Sequence, residues 1–212
     1  MLPKTDTQLT EMAQKNAEQF WVDAGNYYLN RGFPLCSTSR VIDIGGYKGD
    51  WAAYIHSVHN CFVDIYEPLK DFCVGMRERF AGNPKIRVLE YAVEDRTDWK
   101  GLAFMEDSSS LHYPLRDDAI VVPVIDVNAI IDGPIDLMAI NCEGSEYNIL
   151  ERLISTGKIK LLRNILVQFH AFVPGAEEKR HAIVYELRKT HQQRWCYPFV
   201  WEAWSKTWKA DE

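Results

Sequence analysis

Short apolar runs alternate with longer amphipathic segments along most of this chain. The apolar runs are rich in β-branched side chains and are typical of buried strands; they cover 40–44, 61–66, 86–91, 137–140 and 164–170. Apolar positions at helical spacing follow most of these runs, in 50–58, 71–80, 145–154 and 177–191. Alternation of this kind predicts an α/β fold with a mostly parallel sheet.

The first thirty residues carry a different pattern. Residues 5–30 form an interrupted apolar stripe that predicts an amphipathic helix before the first core strand; its apolar positions are Leu9, Met12, Ala13, Phe20, Trp21, Tyr27, Tyr28 and Leu29. We expect this helix to pack on the sheet, with a lid over a pocket or a homodimer contact as the alternatives. We therefore expect a single domain, 1–212, made of an N-terminal helical extension, 1–34, and an α/β core, 35–212.

Residues 96–134 are the least regular part of the chain. Apolar segments at 101–105 and 120–124 predict short edge strands, and Pro123 argues against a central strand because proline cannot donate to the ladder. Between them the polar segment Asp107–Tyr113 either lines an acceptor site or is a surface loop. The tail, 194–208, alternates in part and predicts an antiparallel hairpin that closes the sheet.

Composition narrows the functional classes. The 212 residues suffice for one sizeable core. The net charge of -6 and the absence of a dense basic run argue against a nucleic-acid partner. Five scattered cysteines without a C-x-x-C pair support neither a zinc site nor a disulfide framework. No apolar stretch reaches membrane-spanning length and the start is too polar for a signal peptide, so we expect a cytoplasmic protein without a membrane partner.

The first chemically informative stretch is a glycine turn after the first strand. Unpaired amides at the start of the following helix make such a turn a natural cradle for an anionic group. The dinucleotide fingerprint G-x-G-x-x-G fails here, because Tyr47 and Asp50 stand where it needs glycine. The D-x-G-G-x-x-G pattern instead resembles the first motif of class I methyltransferases, which wraps the methionine part of S-adenosylmethionine; its residues are Asp43, Gly45, Gly46 and Gly49.

Two further strand ends suggest cofactor contacts. Glu67, followed by Pro68, ends the second strand 24 residues after Asp43. A carboxylate there accepts hydrogen bonds from both ribose hydroxyls in nucleotide-binding α/β folds, although a solvated helix cap is the alternative. After the third strand, resemblance to a methyltransferase places Ala92 and Val93, with the side chain of Glu94, against the adenine.

The second informative stretch is the end of the strand at 137–140. The polar sequence Asn141-Cys142-Glu143-Gly144 follows it, at the edge where open α/β sheets bind ligands. His170 ends the next strand at the same edge, although a lone histidine there is often structural. We name His170 as the first candidate for a catalytic base and Glu143 as the second. Asn141, Cys142 and Tyr47 complete the predicted cofactor contacts.

The whole pattern from Arg40 to Phe172 resembles the FkbM family of S-adenosylmethionine-dependent O-methyltransferases. Its landmarks are 41–45, 66–68, Ala92, 124–126, 135–137, Glu143-Gly-Ser-Glu146 and His170. The resemblance implies a Rossmann-like class I fold, a seven-stranded, mostly parallel sheet with a C-terminal antiparallel hairpin, and helices on both faces. It further implies methylation of a hydroxyl on a sugar, glycan or glycosylated small molecule.

Two positions depart from the family pattern. The family usually has Asp where this chain has Asn141, and often Glu where it has Gln168. Both changes remove a carboxylate, so a divalent metal is possible but not expected. They also support the alternative of a non-catalytic α/β binding protein with a vestigial cofactor pocket. An RNA 2′-O-methyltransferase is a second alternative, which the lack of a basic groove disfavours.

Overall fold

The computed structural model describes residues 6–23, 25, 27, 29, 32–103, 109–112, 114 and 119–207. The helices are α1 (Asp6–Val22), α2 (Asp50–His59), α3 (Lys70–Arg79), α4 (Val127–Ile130), α5 (Glu146–Ser155) and α6 (Ala176–Leu187), with a 3₁₀ turn at Lys158–Leu161. The strands are β1 (Arg40–Ile44), β2 (Phe62–Tyr66), β3 (Ile86–Leu89), β4 (Ala92–Glu94), β5 (Asp98–Leu102), β6 (Ile120–Asp126), β7 (Leu137–Ile140), β8 (Asn164–Val167), β9 (His191–Tyr197) and β10 (Trp201–Lys206). Among these residues, no helix is both long and apolar enough to cross a membrane.

The main sheet has seven strands in the order β3-β2-β1-β7-β8-β10-β9. The strands from β3 to β8 run parallel, and β10 runs antiparallel to both of its neighbours. This order confirms the predicted seven-stranded class I architecture with its C-terminal hairpin. The order reverses between β1 and β7, which opens a crevice at the carboxyl ends of these strands.

Successive side chains along each central strand point to opposite faces of the sheet, so the apolar side chains form two layers, one on each face. One layer receives Ile42, Ile44, Met138, Ile140, Ile165 and Val167 and packs against α5 and α6. The opposite layer receives Val41, Val63, Ile65, Leu137, Ala139 and Leu166 and packs against α2 and α3. Helices therefore cover both faces, as predicted, and the parallel strands read as continuous apolar runs because both of their faces are buried.

Helix α1 packs on the C-terminal hairpin, which confirms the preferred prediction for the N-terminal segment. Phe20 is fully buried, and its ring lies 5.2 Å from that of Tyr197 and 5.9 Å from that of Trp195. The side-chain amide of Asn16 donates to the backbone oxygen of Pro198 at 2.9 Å. The predicted apolar stripe is wrong at Trp21 and Tyr27, which are 54% and 56% exposed, and α1 ends at Val22, short of the predicted residue 30. Tyr28 lies outside the described residues.

A small second sheet, in the order β4-β6-β5, corrects the prediction of two edge strands. Strand β6 is central in this sheet although it contains Pro123. The proline is tolerated because β4 pairs with β6 only from Val124 to Asp126, so at Pro123 the strand has a neighbour on one side only.

Several predicted boundaries shift by a few residues. Strand β8 ends at Val167 rather than His170, and α6 ends at Leu187, so that His191 begins β9. In α2 the buried positions are Ala52 and Ile55, whereas Tyr54 and Val58 are exposed. Trp208, at the end of the predicted hairpin, lies outside the described residues.

Candidate functional site

A cleft opens at the carboxyl ends of β1, β2 and β7, beside the start of β4. The lining residues come from every stretch that the sequence singled out for cofactor binding; they include Gly45, Tyr47, Glu67, Pro68, Ala92, Val93, Asn141, Cys142 and Glu143. The sheet topology thus places strand ends that are distant in sequence along one wall of the cleft.

The glycine turn is shaped by close backbone contacts. A Cβ atom on Gly45 would lie 1.8 Å from the backbone oxygen of Asn141, and φ of Gly45 is +87°. A Cβ on Gly46 would lie 2.1 Å from the side chain of Ile65. Only glycine therefore lets the ends of β1 and β7 come this close. Next along the chain, Tyr47 has φ of +50° and lines the cleft, so the turn stores backbone strain where it faces a ligand.

Three predicted cofactor residues lie beneath the turn instead of on the cleft wall. Asp43 is 6% exposed at the end of β1, and Gly46 faces Ile65. Gly49 takes the left-handed conformation at the N-terminus of α2 and packs against Phe80 and Met76. These residues support the turn from below, and their predicted role in cofactor binding stays a prediction.

Glu67 is the best-defined cofactor candidate. Its carboxylate accepts hydrogen bonds from the backbone amides of Tyr47 and Leu69, both at 2.9 Å, and it lines the cleft while only 5% exposed. Burial raises the pKa of Glu67 to about 7, against the two amide hydrogen bonds, which favour the charged form. Burial and the nearby Glu67 charge likewise raise the pKa of Asp43 to about 7.

Asn141 presents an unsatisfied acceptor at the cleft. Its side-chain oxygen is buried and finds no donor among the described residues, whereas its backbone amide donates to Ile44 at 2.9 Å. Buried acceptors without a partner are uncommon and call for a ligand or water. A cationic or N–H group of a ligand in this cleft would satisfy it.

The two candidate catalytic residues are in direct contact. The Nε2 atom of His170 lies 3.2 Å from Oε1 of Glu143, and Nδ1 lies 3.1 Å from Oε1 of Glu146. Glu146 is fully buried and also accepts from the backbone amides of His170, at 2.7 Å, and Gly144, at 2.9 Å. Glu143 lines the cleft, and His170 lies behind it. The result is a chain of three side chains in the order Glu143, His170 and Glu146.

Both ring nitrogens of His170 face a carboxylate oxygen, so each is best assigned a proton. Burial opposes the positive charge, but the hydrogen bonds to Glu143 and Glu146 outweigh it and raise the pKa of His170 to about 10. His170 is therefore an imidazolium ion at neutral pH. Sequence reasoning missed the contact with Glu146, because only the fold brings the segment after β8 beside α5.

Glu94 departs from its predicted place against the adenine. It is fully buried, and its carboxylate accepts from Ser145 Oγ at 2.7 Å and from the Asn148 side chain at 2.9 Å. Ser145 stands at the N-terminus of α5, but its hydroxyl donates to Glu94 instead of capping the helix. Nothing in the local sequence signals this contact between residues 51 positions apart.

The polar segment between β5 and β6 contributes to the cleft. Ser109 and Leu111 line it, which favours the acceptor-site interpretation for this segment. Asp107, Ser108 and Tyr113 lie outside the described residues. No three His, Cys, Asp or Glu side chains within the described part of the chain are arranged to hold a metal ion.

Solved structures of methyltransferases share this fold. The FkbM methyltransferase from Methylobacillus flagellatus KT matches with a TM-score of 0.58 and 13% identity, over 82% of this chain and 44% of that one. A putative rRNA-methylase from Clostridium thermocellum matches with a TM-score of 0.56 and 11% identity, over 90% and 97% of the two chains. A putative caffeoyl-CoA O-methyltransferase from Staphylococcus aureus gives 0.51 and 9%, over 97% and 93%. At these identities the likeness concerns the fold alone.

The comparison with protein families supports a family assignment as well as a fold. No curated protein matches this sequence, and the chain spans less than half the length of the Methylobacillus protein. The family model of the methyltransferase FkbM domain, however, matches residues 43–205, from the end of β1 to β10, and so includes the cleft and the chain of Glu143, His170 and Glu146. This protein therefore belongs to the FkbM methyltransferase family.

Proposed function

We propose that this protein transfers a methyl group from S-adenosylmethionine to a hydroxyl of a sugar, a glycan or a glycosylated small molecule. The observation that carries the proposal is the Glu143 carboxylate, which stands on the cleft wall and is held from behind by His170 at 3.2 Å. A carboxylate at this place can take a hydroxyl proton where the donor would lie.

The cleft fits S-adenosylmethionine, the methyl donor that the family implies. Glu67 would hold the ribose hydroxyls, because its two oxygens are oriented by the amides of Tyr47 and Leu69. The unsatisfied oxygen of Asn141 would accept from the ammonium group of the methionine part. When bound, the donor supplies a methyl group already activated on a sulfonium. The protein therefore has to align the acceptor hydroxyl with the methyl group and to remove the hydroxyl proton.

Glu143 is the better base of the two candidates. His170 was the first choice from sequence, but with a pKa of about 10 it already carries its proton at neutral pH and cannot accept another. Glu143 faces the cleft and has lone pairs to offer. His170 orients Glu143 and balances its charge, and Glu146 holds His170. General-base assistance of this kind contributes about 10²- to 10⁴-fold.

Direct tests are calorimetry with S-adenosylhomocysteine and transfer of a labelled methyl group to a panel of short glycans. We expect micromolar binding and label on at least one glycan. Glu143→Gln should reduce turnover at saturating donor by about 10²-fold or more. The matched control is Glu151→Gln on the exposed side of α5, which should retain wild-type turnover. Near wild-type turnover in both Glu143→Gln and His170→Ala would contradict these roles.

The other outcomes separate the alternatives. An absence of S-adenosylhomocysteine binding would support the non-catalytic protein with a vestigial pocket. Binding with transfer to RNA but to no glycan would support the RNA 2′-O-methyltransferase, against which the net charge of -6 argues. A short ribosomal RNA fragment therefore belongs in the acceptor panel.

A further inference from the structure

Four polar side chains form a network next to the backbone of Glu143. We call Glu94, Ser110, His112 and Ser145 the latch. Nε2 of His112 lies 3.1 Å from Oε1 of Glu94 and 3.1 Å from Ser145 Oγ. The Ser110 hydroxyl accepts from the His112 amide at 2.9 Å and donates to the backbone oxygen of Glu143. The latch thus joins β4, the 109–112 segment and the start of α5.

Glu94 anchors the latch as a buried anion. Burial disfavours its charge, but the hydrogen bonds from His112, Ser145 and Asn148 outweigh this and lower the pKa of Glu94 to about 2. The amine of Lys100 lies 3.7 Å away and adds to the effect. A fully buried carboxylate is costly unless all its donors stay in place, so their removal is expected to disturb the segments that supply them.

The latch holds the backbone at a strained point. Glu143 has φ of +50°, which non-glycine residues rarely adopt, and Gly144 follows with φ of +108°. The His112 ring lies over Gly144 so closely that a Cβ atom there would be 2.9 Å from Cδ2. The Ser110 hydroxyl bonds the carbonyl between these two residues. Strain of this kind persists only where the surroundings hold it.

We propose that the latch positions the Glu143 carboxylate, and that the segment which the latch fixes forms the acceptor-side wall of the cleft. Ser109 and Leu111 line the cleft on either side of Ser110, so the bond that holds Glu143 also places this wall. Ser110 and His112 are positioning residues, because they act through Glu143 without touching the reacting atoms. The role at the acceptor rests on the proposed function, whereas the link between Ser110 and Glu143 does not.

Ser110→Ala is the central variant, because it removes the hydroxyl bonded to Glu143 and leaves the donors to Glu94 intact. Ser155→Ala is the matched control, since that exposed hydroxyl bonds only the Arg152 carbonyl within its own helix turn. Nuclear magnetic resonance of histidine-labelled protein gives the pKa of His170 without any acceptor. We expect Ser110→Ala to lower that pKa by about 1 or more, because Glu143 is held less firmly against the ring. Ser155→Ala should leave it unchanged.

A double-mutant cycle makes the test specific. In a Glu143→Gln background, Ser110→Ala should move the pKa of His170 by less than in the wild-type protein, because the contact with the Glu143 carboxylate is gone and what remains is the route from the Gly144 amide through Glu146. With an acceptor from the glycan panel, Ser110→Ala and His112→Ala should lower kcat by about tenfold, while the Kd for S-adenosylhomocysteine stays within about twofold.

The possible results of these measurements distinguish failure of the latch inference from failure of the proposed methyl transfer. If Ser110→Ala lowers the melting temperature but leaves the His170 pKa and kcat at wild-type values, the latch is merely structural and the inference is wrong. An equal pKa shift with and without Glu143 would also overturn it. If the pKa responds as expected but S-adenosylhomocysteine does not bind, the latch stands and the proposed methyl transfer fails.

Discussion

At the scale of single residues, two buried carboxylates have a raised pKa: Glu67 on the cleft wall and Asp43 beneath the glycine turn. Both values are about 7, because burial disfavours the charge of each. In the proposed complex, only the ionised form of Glu67 accepts from two ribose hydroxyls at once. The proposed contact therefore predicts that donor binding depends on pH in the neutral range.

We expect the affinity for S-adenosylhomocysteine to increase as the pH rises from 6 to 8. A group with a pKa of 7 is about one-tenth ionised at pH 6 and about nine-tenths ionised at pH 8, so Kd should fall by up to about tenfold. Calorimetry at both pH values measures this. Glu67→Gln should bind S-adenosylhomocysteine more weakly than the wild-type protein. Asp43→Asn should show how much of the pH dependence of Kd is due to Asp43. A wild-type Kd that does not change between pH 6 and 8 contradicts the prediction.

At the scale of elements, the meeting of β1 and β7 decides the shape of the cleft. The backbone oxygen of Asn141 points at Gly45, where even one methyl group has no room. The glycine motif therefore has a structural cause in addition to any contact with a ligand. The same strand ends supply Asn141 and Tyr47 to the cleft wall.

Gly45→Ala should destabilise the fold by about 3 kcal/mol or more, because it combines a clash with backbone and a positive φ. Gly75→Ala is the matched control. Gly75 lies inside α3 with no neighbouring atom within 4 Å of the added Cβ, so alanine there should stabilise by about 0.5–1 kcal/mol. Urea unfolding measures both; a small effect at Gly45 would show that the two strands can move apart easily.

At the scale of the whole molecule, three kinds of buried ionisable group set how stability depends on pH. Asp43 and Glu67, with a raised pKa, contribute stability below pH 4 that is lost as the pH rises through about 7. His170 contributes stability below pH 6.5 that is lost as the pH rises through about 10. Glu94, with a lowered pKa, contributes stability above pH 4.5 that is lost as the pH falls through about 2.

The free energy of unfolding of the ligand-free protein should therefore be highest near pH 4 and should fall from pH 5 to pH 10. Urea midpoints at pH 5, 7 and 9 measure this trend. Asp43→Asn should flatten the part between pH 5 and 7, since an amide does not ionise. A wild-type stability that rises between pH 5 and 8 would contradict the assignments of Asp43, Glu67 and His170 together.

Much of the architecture was readable from sequence because the main signals are local. Apolar runs of strand length predicted the five parallel strands of the main sheet, partial alternation predicted its C-terminal hairpin, and helical spacing predicted most of the helices that cover it. Errors occurred where a neighbouring element decided the outcome. Pro123 is tolerated in a central strand because β4 is too short to pair with it.

The amino-acid sequence alone was enough to predict the sheet, the glycine turn and the places of Glu67, Glu143 and His170 at one edge, because these follow from which residues come at the end of each strand. The charge of His170 and the burial of Glu94 could be learned only from the folded protein, because both depend on partners far away in the chain. Glu146 and His112 have no local signal for their roles. A pKa or a hydrogen bond depends on the groups around a side chain, and the fold brings those groups together.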